Sequence, residues 1–156
     1  MTMIRHEIEV SVDYHQFYLW DPGVHPSAPT EYSDDDVKRM VKVAPNVVVI
    51  QPVRDFTVAV ELELHDHDPG CDVREWDHVA ECSIDLPTGQ LDVEECTGGT
   101  AFSIQVAPGT YRLRALFSDL DSLSEDGFDG KDRYRLVLWP GTAVPLSIVR
   151  QWPGPN

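Results

Sequence analysis

Apolar and polar residues alternate along most of this chain with a period of two. Ile4, His6, Ile8, Val10, Val12 and Tyr14 take one parity and Arg5, Glu7, Glu9, Ser11, Asp13 and His15 the other, the pattern of a half-buried strand. Past Gln16 the apolar set (Phe17, Tyr18, Leu19, Trp20) spreads over both parities, which predicts a bulge or burial on both faces. A loop from Asp21-Pro22-Gly23 to about position 30 leads to Ser33, whose Asp36 three residues on forms a capping box; one short helix over 34–42 is expected, ended by Pro45. Val47 to Ile50 reads as a short buried strand. The clearest alternation follows, with Phe56, Val58, Val60, Leu62 and Leu64 inward and Glu61 and Glu63 outward.

After the turn-rich 65–70 stretch, Trp76, His78, Ala80, Cys82, Ile84 and Leu86 share a face, with Asp77, Glu81 and Asp85 opposite. Pro87-Thr88-Gly89 closes a hairpin into Leu91 and Val93, and Pro108-Gly109 joins Phe102–Val106 to Tyr111–Phe117. An acidic loop spans 119–131, and strands at 134–139 and 144–149 complete the set. Short strands with tight turns predict a mostly β fold, an antiparallel β-sandwich with one short helix, in one domain over 1–156. At 156 residues a substantial core is possible without staples.

Composition adds a surface property. The formal net charge is −15, with globular proportions of 42% hydrophobic and 25% charged residues, so acidity here does not signal disorder. Such a field disfavours nucleic acid and anionic membrane and favours a basic protein partner or a cation. The start, from Met1, has no apolar stretch of signal-peptide length, and Cys71, Cys82 and Cys96 cannot all pair, which suits a cytoplasmic protein.

Candidate chemistry is sparse. His6-Glu7 does not continue to a second histidine at Val10, no nucleophile elbow occurs, and Gly130-Lys131 lacks an earlier phosphate-loop glycine, so no catalytic residues are nominated. If every connection after Phe56 reverses direction, the loops at 66–75, 96–100 and 118–132 share one end. Asp66, Asp68, Asp72, Asp119, Asp121, Asp126 and Asp129 would crowd there. They read either as a solvated rim or, at Asp66, Asp68 and Asp72, as oxygen ligands for Ca²⁺. Cys71, Cys96, His65 and His67 at that end would suit Zn²⁺, although their spacing matches no zinc pattern and free thiols are the plainer reading. His78 and Cys82 read as core, and Trp152 as a docked tail or a ligand platform.

Val10-Ser11-Val12-Asp13-Tyr14-His15-Gln16-Phe17 resembles the amino-terminal Tyr-His-Gln-Phe stretch of the competence protein J family. The strand–Pro108-Gly109-x-Tyr111–strand segment is similar to that family's late hairpin. Together they cover about a fifth of the chain. The resemblance implies an inhibitor of a DNA-entry nuclease, a small cytoplasmic β protein presenting carboxylates where phosphates would sit. Within the first stretch, parity puts Tyr14 inward and His15 outward, as a bulge packed on the opposite sheet or as a contact site. The function expected is a non-enzymatic acidic binding module of inhibitor or immunity type directed at a basic nuclease or toxin. Asp119, Asp121, Asp126, Asp129, Glu61, Glu63 and His15 are its candidate contacts, and no cofactor is called for. The alternatives are a cation-binding sandwich module or an enzyme whose site assembles only in space.

Overall fold

In the computed structural model, which describes residues 3–155, the predicted alternations become eleven strands, one α-helix and two 3-10 turns. Met1, Thr2 and Asn156, the ends of the expected domain, lie outside the described residues. Strands β1 (Met3–Ser11), β5 (Thr57–His65), β6 (His78–Leu86), β9 (Gly109–Ser118), β10 (Arg133–Pro140) and β11 (Ser147–Arg150) form one sheet, in the order β1-β5-β10-β9-β6-β11. The second contains β2 (Phe17–Trp20), β3 (Val41–Ala44), β4 (Val47–Ile50), β7 (Gln90–Glu95) and β8 (Gly99–Gln105), in the order β3-β4-β2-β7-β8.

The inward parities meet between the sheets. Ile8 and Val10 from β1 with Val12 just past its end, Val58, Val60 and Leu62 from β5, and Ala80, Cys82, Ile84 and Leu86 from β6 join Phe17, Leu19, Ile50, Leu91 and Val93 in one buried cluster. The helix α1 (Asp34–Arg39) is shorter than expected. Its capping box closes through Ser33 and Asp36 as predicted, but Met40 adopts φ 62° and turns the chain into β3, so Val37 is left exposed while Met40 and Val41 are buried.

One pairing departs from an all-antiparallel sheet: β10 runs parallel to β5, with Leu136 opposite Leu62. Because β9 is antiparallel to both β10 and β6, β5 and β6 point the same way. Residues 66–77 must therefore travel the length of the sheet instead of turning back on it, and they cross its outer face. Trp76 leaves the inner parity for this reason and packs outside with Val79, Leu116, Val137 and Trp139. The loops at 96–98 and 119–132 do emerge together, at what is here called the lower end, whereas the 66–77 segment begins at the other end.

The same crossing changes the environment of the outward carboxylates. Glu61 and Glu63 have the expected parity, but neither is a solvated rim residue. Glu61 pairs with Arg133 and Arg135 at 3.0 Å each, and Glu63, buried, accepts from Arg5 Nε at 3.0 Å and contacts His65 Nε2 at 2.9 Å and Arg135 Nε at 3.4 Å. Arg114 is likewise buried, paired with Asp68 at 2.9 Å and Glu81 at 2.8 Å above the Trp139 ring. The arginines therefore neutralise this face internally.

Candidate functional site

The lower end concentrates the features left unabsorbed by the core. Between β1 and β2 the chain reverses in two residues: Gln16 N–H donates to the Asp13 carbonyl at 3.2 Å, and Tyr14 and His15 both take left-handed φ, 56° and 54°. This is the geometry of a type I′ turn, which favours Asn-Gly because other side chains crowd the backbone there. Tyr14 is consequently not inward, as alternation predicts, but 75% exposed at the turn's tip. The parity fails because the strand has ended.

The turn is held from behind. His15 N–H donates to Asp55 Oδ1 at 2.8 Å, and its ring Nδ1 lies 3.0 Å from the Pro52 carbonyl, so Nδ1 carries the proton. Gln16 Oε1 accepts from the Tyr18 and Tyr32 hydroxyls at 2.6 and 3.0 Å, and burial pushes the Tyr32 phenol up to about 12. Nearby, Phe56 and Phe128 are each about half exposed with ring centroids 5.2 Å apart.

The 119–132 loop is ordered by its own polar groups. Ser122 Oγ donates to the Asp119 carbonyl and accepts from Lys131 N–H, and Asp126 accepts from Ser124 Oγ and Phe128 N–H, which holds its carboxyl below the usual range. Its base is pinned by buried Asp132, which accepts from the Tyr134 hydroxyl at 2.6 Å and pairs with Arg54 at 3.0 Å. Asp119, Asp121, Asp126 and Asp129 are thus on the same end of the molecule as His15, while Glu61 and Glu63 lie on the outer sheet face.

Of the candidate metal ligands, Asp66, Asp68 and Asp72 belong to the crossing segment and Cys96 to the lower end. Asp68 is bound by Arg114 and Asp72 by Arg74. Cys71 is exposed, Cys96 lies against the Tyr18 hydroxyl, and His65 contacts Glu63. Among the described residues no group of three or more His, Cys, Asp or Glu is placed to share an ion.

A groove of about 1120 Å³ opens at the lower end between the Tyr14–Gln16 turn, α1, residues 51–53, the start of the 119–132 loop and the tail from Gln151 to Pro155. Periodicity carries no signal for it, since its walls come from turns and from a tail without regular structure. Trp152 proves to be a docked tail residue, packed on the core, and His78 is the clip that holds it. The buried imidazole places Nε2 2.6 Å from the Arg39 carbonyl and accepts Trp152 N–H at Nδ1 at 3.0 Å, so one neutral tautomer joins the end of α1 to the tail.

Burial lowers the His78 pKa from its ordinary 6.5, opposed in part by the Arg39 carbonyl. The unfolded chain therefore takes up this proton more readily than the folded one, and the clip's stability is complete above about pH 6.5 and lost as pH falls below it. Melting curves between neutral and mildly acid pH are expected to show this loss in the wild type and a shallower slope in His78→Gln. Equal slopes would sink the assignment.

No protein-family model and no curated protein matches this sequence. The architecture is nevertheless a known one: two facing, mostly antiparallel sheets with a single helix. It is shared with ComJ of Bacillus subtilis, an inhibitor of the DNA-degrading activity of NucA, at a TM-score of 0.71 and 13% identity over 90% of this chain and 100% of that one. The crocagin biosynthetic gene J product superposes with a TM-score of 0.59 and 21% identity over 91% of this chain and 100% of its own. The resemblance to competence protein J noted from Tyr14-His15-Gln16-Phe17 thus holds at the level of fold. Among the described residues no helix is long and apolar enough to cross a membrane.

Proposed function

We propose that this protein is a non-enzymatic binding module of inhibitor type, acting in the cytoplasm, whose acidic lower end occludes a basic nuclease. The observation that carries the reading is the Tyr14–His15 turn. A large aromatic side chain sits 75% exposed on left-handed backbone that gives it little packing in return, a combination that points to a contact made elsewhere. Two further observations support it. The aromatic tip shares its end of the molecule with the 119–132 loop and its carboxylates, in a chain of net charge −15, and ComJ, with the same fold, inhibits NucA. Carboxylates held at fixed positions would occupy the cationic surface on which a nuclease receives phosphates, and Tyr14 with the Phe56–Phe128 pair would supply the apolar anchor.

The test is degradation of plasmid DNA by NucA and by any basic nuclease encoded beside this gene. Stoichiometric protection is expected. Long-range attraction raises association rates by about 10- to 1000-fold and is screened beyond roughly 10 Å at 0.1 M salt, so added salt should slow association and leave dissociation nearly unchanged. Asp119→Lys with Asp121→Lys should slow it further. If DNA degradation continues undiminished and no salt-sensitive association is found, the reading fails.

A further inference from the structure

Among the described residues the two sheets end in four edge strands, and three of these are blunted. β3 and β11 are four residues long, β11 with a register shift against β6, and β8 meets β7 with an irregularity at Val93 and Glu94. β1 is different. Its nine residues keep unbroken antiparallel register with β5, and no strand pairs with its other side. Two hydrogen bonds fix which backbone groups face that open side. Val12 N–H donates to the Phe56 carbonyl at 2.9 Å, so even-numbered residues point to β5. Ser11 N–H points away and is taken by Glu95 Oε2 at 2.7 Å. The outward row therefore continues through Glu9, Glu7 and Arg5, whose N–H and C=O groups have no strand to receive them.

The side chains over this row are sorted by charge. On β5 and β6 the outward Glu61, Glu63 and Glu81 each meet an arginine, and Arg5 is itself held by Glu63, to which its Nε donates at 3.0 Å. Glu7 and Glu9, both exposed, are left without an ion pair among the described residues, Glu7 acting on Arg5 only through its field. On the inward parity Ile4 is 47% exposed and the His6 ring meets Phe102 at 4.9 Å between centroids, an apolar border along the same edge.

We propose that β1 is completed by an extended segment of a protein partner that sets basic residues opposite Glu7 and Glu9 and apolar residues between them. The inference goes beyond the inhibitor reading, which concerns the turn past the end of this strand, and does not require a nuclease. Backbone bonds to Arg5, Glu7 and Glu9 supply affinity. The period of two in an added strand carries its cations to the outer face and its apolar side chains toward Ile4 and Phe102. An acidic segment would set like charges directly across from both glutamates. A second copy of β1 suits the edge less well: centred on Glu7 it opposes Glu7 to itself, and any register joins two chains of net charge −15.

The probe is an acetylated, amidated heptapeptide, threonine-lysine-valine-lysine-valine-threonine-valine, which antiparallel to β1 sets its lysines against Glu9 and Glu7. Amide hydrogen exchange and NMR shifts of the isotope-labelled full chain are the readout. In the free protein the Arg5, Glu7 and Glu9 amides should exchange fast and those of His6, Ile8 and Val10 slowly. With peptide at about ten times its Kd, the first three should slow about tenfold. A peptide of the same composition with adjacent lysines keeps the charge, loses the alternation and should leave that exchange unchanged. Glu7→Lys with Glu9→Lys should weaken binding about tenfold or more. Glu7→Pro removes one outward N–H, spares the bonds to β5 and should weaken it likewise. Exchange unchanged at millimolar peptide, equal slowing by the rearranged peptide, or shifts confined to other surfaces would overturn the proposal. So would slow exchange of the three amides in a free chain that sediments as a dimer, which would assign the edge to a second copy. A chain that protects DNA but ignores the peptide keeps the inhibitor reading and loses the edge. One that binds the peptide along β1 but protects no DNA supports the edge and loses the inhibitor reading.

Discussion

Glu63→Ala is expected to destabilise the fold by about 2–4 kcal/mol, close to the roughly 2–5 kcal/mol expected for Leu62→Ala on the opposite face of the same strand. The two costs arise differently. Leu62 is fully buried between the sheets, and its truncation leaves a cavity. Glu63 has a side chain only 7% exposed, and its loss takes the carboxylate partner from Arg5 Nε and His65 and leaves Arg135 with Glu61 alone. Arg5 is 40% exposed and can turn to water, which holds the figure below that of a fully buried pair.

The pH dependence of this site has a definite sign. Burial alone would raise the Glu63 pKa, but hydrogen bonds from His65 and Arg5 and the charge of Arg135 outweigh it and hold the carboxyl below its ordinary 4.5. The contribution is therefore complete above about pH 4.5 and lost as pH falls through the lowered value. Urea unfolding of Glu63→Ala and Leu62→Ala at neutral pH, and of Glu63→Gln across the acid range, measures all three. A Glu63→Ala cost under about 0.5 kcal/mol would place this carboxylate with ordinary surface charges and remove the case for an ion-pair lattice under the crossing segment.

Why the outer face was misread from alternation while the inner face was not is itself physical. Period-two patterning reports which parity each residue takes, and it placed Val58, Val60, Leu62, Ala80, Cys82 and Ile84 correctly because the inner face is apolar throughout. It carries no information about what lies over the other face. That depends on strand direction, and direction turns on the β5–β10 pairing between segments some 70 residues apart, which no local pattern encodes. Once those strands are parallel, residues 66–77 must cross the sheet, Trp76 and Val73 have an outer surface to cover, and the carboxylates at 61, 63, 68 and 81 meet arginines. At the lower end the shared position of the 96–98 and 119–132 loops was legible from hairpin reversal. The groove was not, since it needs the tail clipped by His78 and a turn whose tight reversal between Asp13 and Gln16 breaks the alternation it interrupts.

That turn permits a test in which stability and binding move in opposite directions. Tyr14→Asn should stabilise the free protein by about 0.5–1 kcal/mol, because asparagine tolerates left-handed backbone at this turn position and tyrosine does not, and because Tyr14 makes little use of the protein surface to offset its strain. The same change removes the most exposed aromatic of the acidic end. If Tyr14 anchors the nuclease interface, the loss should be that of an aromatic hot spot, about 2–4 kcal/mol or roughly 30- to 1000-fold in Kd, expressed mainly as faster dissociation. Tyr14→Phe separates ring from hydroxyl and should retain most of the affinity if apolar burial dominates. The backbone bonds from His15 to Asp55 and from Gln16 to Asp13 do not involve the Tyr14 side chain, so the turn should persist in all three proteins, which hydrogen exchange at His15 and Gln16 can verify. A variant that gains stability and still protects DNA as well as wild type would show that the exposed tyrosine serves no contact with the nuclease, and the inhibitor reading would lose the observation on which it stands.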